Sequence, residues 1–293
     1  MILVTGAGGF AGSHLLQRLP GAVGWTRRDV DLLDRDRVRT KIRELAPSAI
    51  YHCAGAPHVA HSWADTTRPL ASNVLATHHL LDAVRRAGRP CRVLIPGSAY
   101  IYKPSAAVLT EDDPLHPANP YALSKLAQEQ LGLRAVGEDG LEVVLTRSFN
   151  HTGPGQQPSF AAPAFARQLA RIEAGLDAPV IYVGNLDARR DLTDVRDTVR
   201  AYQLLMDRGR PATPYNVCSG VAHSIADVLE GLRARVRVSV RIEVDPARLR
   251  PQDTPTIVGS PERLQADTGW RPEITFDRML DGLLEFWREA VRR

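Results

Sequence analysis

Thr5-Gly6-Ala7-Gly8-Gly9-Phe10-Ala11-Gly12 joins an apolar, strand-like run at Ile2–Thr5 to a helix-like stretch at Gly12–Leu19. Glycines at such a junction permit a tight turn, let the backbone approach a pyrophosphate and allow the helix to pack closely on the strand. The helix N-terminus adds free N–H groups and a partial positive charge. The segment therefore predicts a dinucleotide-binding turn, and the residues that we expect at the cofactor are Gly6, Gly9, Phe10, Ala11 and Gly12.

The rest of the first half alternates short apolar runs with amphipathic stretches. The predicted strands are Ile2–Thr5, Ala22–Thr26, Ala49–Cys53, Arg92–Pro96 and Glu142–Arg147, and the predicted helices are Gly12–Leu19, Arg35–Leu45, Leu70–Ala87 and Tyr121–Val136. This alternation favours right-handed β-α-β crossovers and a parallel sheet buried on both faces. The predicted fold class is α/β, a Rossmann-like doubly wound parallel sheet followed by a smaller C-terminal α/β region.

The texture of the chain changes after Asn150. A Gly/Pro-rich loop at His151–Pro158 leads into less regular elements, among them a predicted strand at Val236–Val244. We expect a cofactor-binding domain over residues 1–150 and a substrate-binding region over residues 151–293. No clean linker separates the two, so we expect them to share elements of one sheet.

The 293 residues carry a formal charge of +4, and 34 of the 37 basic side chains are arginine. The three lysines are Lys41, Lys103 and Lys125. The basic residues are scattered and alternate with acidic ones, which indicates solvated surfaces and small anionic ligands and not a nucleic-acid interface. We expect no nucleic-acid partner.

Other bulk features bear on the compartment. The longest apolar runs are too short to span a membrane, and the N-terminus has no basic region before an apolar run, so we expect neither membrane association nor a signal peptide. Cys53, Cys91 and Cys218 are few and widely spaced, which is typical of unpaired thiols in the cytoplasm. The histidines have no metal-ligand spacing, so no metal site is predicted.

The cofactor's identity depends on the end of the second predicted strand. An acidic side chain about 20 residues after the glycine turn would bind the ribose 2′-hydroxyl of NAD. Here the strand ends in Arg27 and Arg28, whose guanidinium groups suit the 2′-phosphate of NADP. Asp29 is adjacent and offers a ribose ligand. We expect NADP(H) to be preferred, with NAD(H) as the alternative.

A second motif carries the candidate chemistry. Asn119 and Pro120 predict a helix start, and Tyr121 and Lys125, four residues apart, then project from one helical face. Tyrosine serves as an acid near neutral pH only if its phenolate is stabilised, which an ammonium one turn away provides. Ser98 follows the fourth predicted strand, at the sheet edge where doubly wound folds bind ligands. We predict that these three residues are catalytic, the alternative being a surface tyrosine and lysine.

With these motifs in this order, the sequence resembles the extended short-chain dehydrogenase/reductase family, in its nucleotide-sugar branch. Further matching features are Asp31-Leu32 after the second strand and Ala54-Gly55-Ala56 after the third. The resemblance implies that Asp31 and Leu32 lie at the adenine and that Lys125 also binds the nicotinamide ribose. It places four more residues along the cofactor: Ala54, Gly55, Ala56 and Asn73. It also implies a homodimer.

The second half is similar to GDP-mannose 4,6-dehydratases and to GDP-6-deoxy-4-keto-mannose reductases. The similar segments are Ser148–Pro154, Val183–Asp191 and Arg250-Pro251-x-Asp253. The resemblance implies that Asn150 contacts the sugar nucleotide and that Arg190 and Arg250 grip its diphosphate. The expected partner is therefore a nucleotide-diphosphate sugar.

One position separates the candidate reactions. The family's dehydratases carry an acid two residues after the serine, where this chain has Tyr100. Tyrosine is a poorer proton shuttle for the elimination of water. We therefore predict NADPH-dependent reduction of a nucleotide-linked 4-keto-6-deoxyhexose, most simply GDP-linked. The alternatives are a GDP-mannose 4,6-dehydratase or a nucleotide-sugar 4-epimerase that retains its NAD(P), and a non-catalytic NADP sensor.

Overall fold

The computed structural model of the chain describes residues 1–57, 59–249 and 254–292. In these ranges the strands are β1 (Ile2–Thr5), β2 (Val23–Trp25), β3 (Ala49–His52), β4 (Arg92–Pro96), β5 (Glu142–Ser148), β6 (Asn150–Thr152), β7 (Val180–Val183), β8 (Arg189–Asp194), β9 (Pro214–Val217), β10 (Ala222–Ser224), β11 (Arg241–Val244) and β12 (Thr256–Ile257).

The α-helices of the described residues are α1 (Phe10–Arg18), α2 (Arg35–Leu45), α3 (Val59–Ala64), α4 (Thr67–Pro69), α5 (Ala76–Ala87), α6 (Pro120–Gly137), α7 (Ala161–Glu173), α8 (Val195–Arg208), α9 (Ile225–Arg233), α10 (Glu262–Thr268) and α11 (Phe276–Arg292). A π-helical segment, Leu70–Leu75, joins α4 to α5, and short 3-10 turns lie at Ala99–Ile101 and Pro246–Arg248. The helix expected over Leu70–Ala87 thus begins with a π-helical stretch, which contains Asn73, and is α-helical only from Ala76.

The large sheet has six strands, all parallel, in the order β2-β1-β3-β4-β5-β9, and its last strand comes from the second half of the chain. The strand order reverses between β1 and β3, which is the switch point where doubly wound folds open a ligand crevice. Apolar cores cover both faces, one including Leu3, Ile50 and Leu80 and the other including Val4 and Leu94. The predicted α/β, Rossmann-like fold class is confirmed.

The second half adds a smaller layer. Strands β10, β8 and β12 form a mixed sheet that β6 joins through β8, and β7 pairs with β11. Helices α7, α9 and α11 enclose a third core, which includes Phe165, Leu229 and Leu283. Strand β9 and helix α8 return to the large sheet, so residues beyond 150 complete the first layer.

Two features of this half differ from the sequence-based expectations. Only Arg241–Val244 of the strand expected at Val236–Val244 pairs with a neighbour. Val236 and Val238 instead pack into the third core from a turn after α9. Alternating apolar residues indicate that one side of a segment is buried, but they do not show that its backbone pairs with another strand. The short strands β6, β8, β10 and β12 were not predicted, nor was the helix α3 in the first half.

Candidate active site

The glycine turn after β1 is shaped by close backbone approach. Gly6 has a φ of +69°, and a Cβ atom there would lie 2.6 Å from the backbone nitrogen of Ala54. A Cβ on Gly12 would lie 2.2 Å from the carbonyl oxygen of Gly6. Gly9 is the N-cap of α1 and provides no side chain to cap it, so the first turn, with Phe10 and Ala11, keeps backbone donors for an anion. This turn fits the pyrophosphate of a dinucleotide.

A second loop, Ala54–Ala56, follows β3 beside that turn and is held by Asn73. The Asn73 Oδ1 atom accepts from the backbone N–H of Ala56 at 2.8 Å, and a Cβ on Gly55 would lie 2.6 Å from it. Its Nδ2 atom donates to the carbonyl of Ala56 and to Ser124 Oγ. Asn73 is buried and positions this loop, and its contact with a cofactor stays a prediction.

The charged residues after β2 lie at the same edge. Arg27 pairs with Asp31 at 3.2 Å, with the arginine side chain 80% exposed. Asp29 accepts from both the backbone N–H and the hydroxyl of Thr26, which commits one of its carboxylate oxygens to a turn. Arg28 is exposed. Arg27 and Arg28 thus offer exposed guanidinium groups, and Asp29 keeps one carboxylate oxygen outside the turn.

Asp31 and Leu32 close the same loop. Asp31 also accepts from the backbone N–H of Leu33, and this hydrogen bond lowers the pKa of its carboxyl group. The Leu32 side chain is buried in the core beside the sheet. Both residues thus fix the loop after β2, and their contact with an adenine ring stays a prediction.

Ser98 and Tyr121 meet at the carboxyl edge of the sheet. Asn119 caps α6 by accepting from the N–H of Ala122 at 2.8 Å, and Pro120 occupies the first turn, which places Tyr121 at the start of the helix. Ser98 follows β4 and accepts from the N–H of Tyr100 at 3.3 Å, so its own hydroxyl hydrogen is free for Tyr121. The Ser98 hydroxyl group lies close enough to Tyr121 to influence its ionisation.

Burial sets the ionisation of the two α6 residues. It raises the pKa of Tyr121 to about 12, while the neighbouring Ser98 hydroxyl group acts in the opposite direction. It lowers the pKa of Lys125 to about 8. Both shifts favour the neutral forms, as expected of ionisable groups removed from water. A protonated tyrosine beside a readily titrated lysine suits the donation of a proton.

Lys125 is fixed by contacts with the protein. Its Nζ atom donates to the carbonyl oxygen of Pro96 at 2.6 Å and to Oε1 of Gln128. Gln128 in turn donates to Thr77, which also contacts His52. The contacts of these supporting residues with Lys125 were not predicted from the sequence. The three-residue spacing of Gln128 from Lys125 was the available signal, whereas the positions of Thr77 and His52 depend on the tertiary structure.

Tyr100 stands at the position, two residues after Ser98, where dehydratases of the family carry an acidic residue. Its ring lies edge-on to Tyr121, with the ring centroids 6.4 Å apart. It lines a shallow pocket together with Lys103, Thr254 and Thr256. The pocket is therefore lined by residues of both halves of the chain, with Tyr100 on one side.

The residues expected at the sugar nucleotide are distributed over the second sheet. Asn150 begins β6 and pairs in register with Leu192 of β8. Arg190 is buried in β8, and its Nη1 atom donates to the carbonyl oxygens of Arg189 and Pro255. Arg250 lies outside the described residues. The roles of all three stay predictions.

A contact between the two halves was also missed. His14 of α1 contacts the carbonyl oxygen of Pro154 at 2.8 Å, and His151 stacks on Phe10 with centroids 5.8 Å apart. Phe10 belongs to the glycine turn, and His151 and Pro154 belong to the loop expected at the substrate. The turn and the loop are thus in direct contact.

Neither a metal site nor a membrane-spanning helix occurs among the described residues. No cluster of histidine, cysteine, aspartate or glutamate there could hold a metal ion. Within the same residues, no helix combines the length and apolarity needed to cross a membrane.

Comparison with known proteins decides the family. The model of the family described as GDP-mannose 4,6 dehydratase matches residues 24–283. The chain belongs to this family. The GDP-6-deoxy-D-mannose reductase of Pseudomonas aeruginosa is 39% identical over 99% of this chain and 98% of its own length. GDP-mannose 4,6 dehydratase 2 of Arabidopsis thaliana is 27% identical over 90% of this chain and 72% of its own.

A solved structure agrees with this assignment. The structure of RMD from Pseudomonas aeruginosa complexed with NADPH matches with a TM-score of 0.91 and 36% identity, covering 99% of both chains. The resemblance to the nucleotide-sugar branch of the extended short-chain dehydrogenase/reductases is confirmed. Like other members of the GDP-mannose 4,6-dehydratase family, the chain is an NAD(P)-dependent enzyme that acts on nucleotide sugars.

Proposed function

We propose that the chain is an NADPH-dependent reductase of GDP-4-keto-6-deoxymannose. The observation that carries this proposal is the 39% identity, over nearly the whole of both chains, to a GDP-6-deoxy-D-mannose reductase, against 27% to a GDP-mannose 4,6 dehydratase. Tyr100, which stands where dehydratases carry an acid, supports the same choice. Without a carboxylate there, the site lacks the proton shuttle that loss of water requires.

The residues of the site suit the chemistry of ketone reduction. NADPH, when bound, supplies the hydride that the C4 carbonyl carbon receives. Tyr121 holds a proton on Oη and transfers it to the carbonyl oxygen, which Ser98 orients by hydrogen bonding. The Lys125 ammonium stabilises the phenolate that Tyr121 becomes. Burial keeps Tyr121 protonated at neutral pH before this step.

NADP(H) is the proposed cofactor, with NAD(H) as a weaker alternative. The glycine turn and α1 suit the pyrophosphate, and Arg27 and Arg28 offer exposed guanidinium groups to the 2′-phosphate. The solved structure that carries NADPH supports this preference. We expect kcat/KM to be at least about tenfold higher with NADPH than with NADH, because a charged hydrogen bond is worth roughly 1.5–3 kcal/mol.

We place the nucleotide diphosphate in the second half of the chain. Arg190 and Arg250 would bind the diphosphate and Asn150 the sugar nucleotide, as the family resemblance implies. The stacking of His151 on Phe10 would bring this substrate loop next to the cofactor turn.

The decisive experiment compares two substrates. Purified protein is given NADPH with GDP-4-keto-6-deoxymannose, and separately NADP with GDP-mannose. We expect NADPH to be oxidised in the presence of the keto sugar, and no conversion of GDP-mannose. Conversion of GDP-mannose, by protein that retains stoichiometric NAD(P) through purification, would overturn the proposal in favour of the dehydratase.

We also propose a cytoplasmic homodimer. All three cysteines are free, as in a reducing compartment. Leu70, Leu75 and Leu123 are each more than 40% exposed, and they lie on the π-helical segment and on α6, which pack against each other. Light scattering should give twice the monomer mass, and Leu123→Glu should give the monomer. A monomeric wild type would exclude the dimer.

A further inference from the structure

Beneath the proposed active site lies a chain of buried hydrogen bonds that begins at Lys125. Lys125 Nζ donates to Gln128 Oε1, and Gln128 Nε2 donates to Thr77 Oγ1 at 2.7 Å. From Thr77 it continues to His52 Nε2 at 2.9 Å, and from His52 Nδ1 to Thr5 Oγ1 at 2.8 Å. Thr5, His52, Thr77 and Gln128 are each at most 1% exposed.

The direction of every hydrogen bond in this chain is determined by groups that can only donate or only accept. An ammonium only donates, so Gln128 must turn Oε1 to Lys125 and Nε2 to Thr77. The Thr77 hydroxyl hydrogen goes to the carbonyl oxygen of Asn73 at 2.6 Å. Thr77 must therefore accept from both Gln128 and His52.

The same reasoning fixes the histidine. His52 carries its proton on Nε2, because Thr77 has no further hydrogen to give. Its Nδ1 atom accepts from the Thr5 hydroxyl, and Thr5 accepts in turn from the backbone N–H of Ala54 at 3.4 Å. The chain thus ends in the loop that faces the glycine turn, with each of these groups satisfied.

We propose that Gln128 is a positioning residue, which holds the Lys125 ammonium in place beside Tyr121 through a one-directional chain anchored on Thr77 and His52. Gln128 and the carbonyl of Pro96 take two of the three ammonium hydrogens and leave the third for a partner in the site. The proposal rests on the proposed role of Lys125 in the reduction.

Three ionisable groups surround Lys125. His52 and Cys53 approach it from the end of β3, and Tyr121 lies one turn away on α6. Burial lowers the pKa of His52 to about 3 and raises the pKa of Cys53 to about 12, so both are neutral at physiological pH. Gln128 is therefore an uncharged contact of Lys125, and its replacement by methionine removes an acceptor without altering any neighbouring charge.

The test uses the scarcity of lysine. With three lysines in the chain, NMR of lysine-labelled protein follows Lys125 directly, with Lys41 and Lys103 as references in the same sample. Gln128→Met removes the acceptor, and we expect the pKa of Lys125 to fall by about one. Gln128→Glu keeps an acceptor and adds a negative charge, and we expect that pKa to rise by about one or more. Gln130→Met, at an exposed position of α6, is the matched control and should leave it unchanged.

Kinetics give a second measurement. We expect Gln128→Met to lower kcat about tenfold, with the alkaline fall of the pH profile shifted to lower pH, and Gln128→Glu to shift that fall to higher pH. Opposite shifts in the two variants are expected of an electrostatic contact. If Gln128 had only a structural role, its replacement would lower the rate without shifting the pH profile. Equal pKa values of Lys125 in wild type and both variants would overturn the proposal.

A measurement on the unaltered protein covers the case in which the variants do not fold. NMR of labelled histidine should show His52 neutral and protonated on Nε2 from pH 5 to 8, a range taken around the ordinary histidine pKa of about 6.5. Protonation on Nδ1, or titration within that range, would refute the chain of donors. Neither NMR experiment needs substrate, so a failure here is distinct from a failure of the proposed reaction.

Discussion

At the scale of single residues, burial keeps Tyr121 protonated at neutral pH, as its proposed role as the proton donor requires. We predict that Tyr121→Phe lowers kcat by about 10²–10⁴, the range attributed to a positioned acid. Binding of NADPH, followed by fluorescence, should be nearly unchanged. Tyr182→Phe, on an exposed residue of β7, is the control. Turnover within twofold of wild type in Tyr121→Phe would remove Tyr121 from the mechanism.

Lys125 gives a pH dependence. Burial lowers its pKa to about 8, so the ammonium loses its proton above that pH, whereas the pKa of Tyr121, at about 12, leaves the tyrosine protonated there. We expect kcat/KM to be flat below pH 8 and to fall about tenfold for each further pH unit. Lys125→Arg, which stays charged, should abolish this fall at a lower overall rate. A profile unchanged by that substitution would contradict the assignment.

Gly6 tests the cofactor turn. An alanine there meets both a φ of +69° and a backbone atom 2.6 Å away, whereas Gly21, at φ +81°, has open space around it. Gly21→Ala therefore measures backbone strain alone. We predict that Gly6→Ala costs about 1–3 kcal/mol more in the free energy of unfolding, from steric overlap, and also weakens NADPH binding. Denaturant titration and cofactor titration check the two effects, and equal losses in both variants would contradict the close approach.

At the scale of elements, a buried ion pair joins the catalytic helix to the sheet. Arg147 of β5 donates to both carboxylate oxygens of Glu129 on α6 at 2.8–2.9 Å, and both side chains are at most 5% exposed. Arg147→Met leaves a buried carboxylate without its partner, and we predict a loss of about 3–5 kcal/mol in unfolding free energy. Arg171→Met, in an exposed pair with Asp177, should have little effect. Similar losses in the two variants would contradict this reading.

The elements of the first half could be predicted because their patterns are local. Ile2–Thr5 and Arg92–Pro96 are predicted to the residue, since buried parallel strands are continuous apolar runs. Strand β8, with the sequence RRDLTD, could not be found this way. Its Asp191 is satisfied by Ser219, Gly220 and Gly259, which are distant in sequence, so only the tertiary structure makes the strand stable.

At the scale of the whole molecule, the second half completes the first. Strand β9 covers β5, and the residues that α8 contributes to the core beside Val4 and Leu94 include Val199 and Tyr202. We predict that a fragment of residues 1–150 does not fold on its own, because a sheet edge and one apolar face would be exposed. Circular dichroism and denaturant unfolding check this. A cooperative transition and NADPH binding by the fragment would contradict it.

The site follows the same division between local and long-range information. Tyr121 and Lys125 share a helix, and Ser98 follows a strand, so helical spacing and the position of ligands at sheet edges were enough to group the three residues. The support of Lys125 comes from β1, β3, β4, α5 and α6 at once, through Thr5, His52, Pro96, Thr77 and Gln128. No pattern within a single element predicts contacts among five elements. The candidate catalytic residues could therefore be proposed from the sequence, whereas the residues that hold Lys125 could not.

In the proposed reaction the enzyme oxidises NADPH as it reduces a keto sugar. This can be measured as the stoichiometry of a reaction in which GDP-4-keto-6-deoxymannose and NADPH are both quantified and the product is identified. We expect one NADPH to be oxidised for each keto sugar consumed, with a 6-deoxyhexose as the product. Conversion of the sugar without net loss of NADPH would contradict it, since an epimerase or a dehydratase regenerates its cofactor in every turnover.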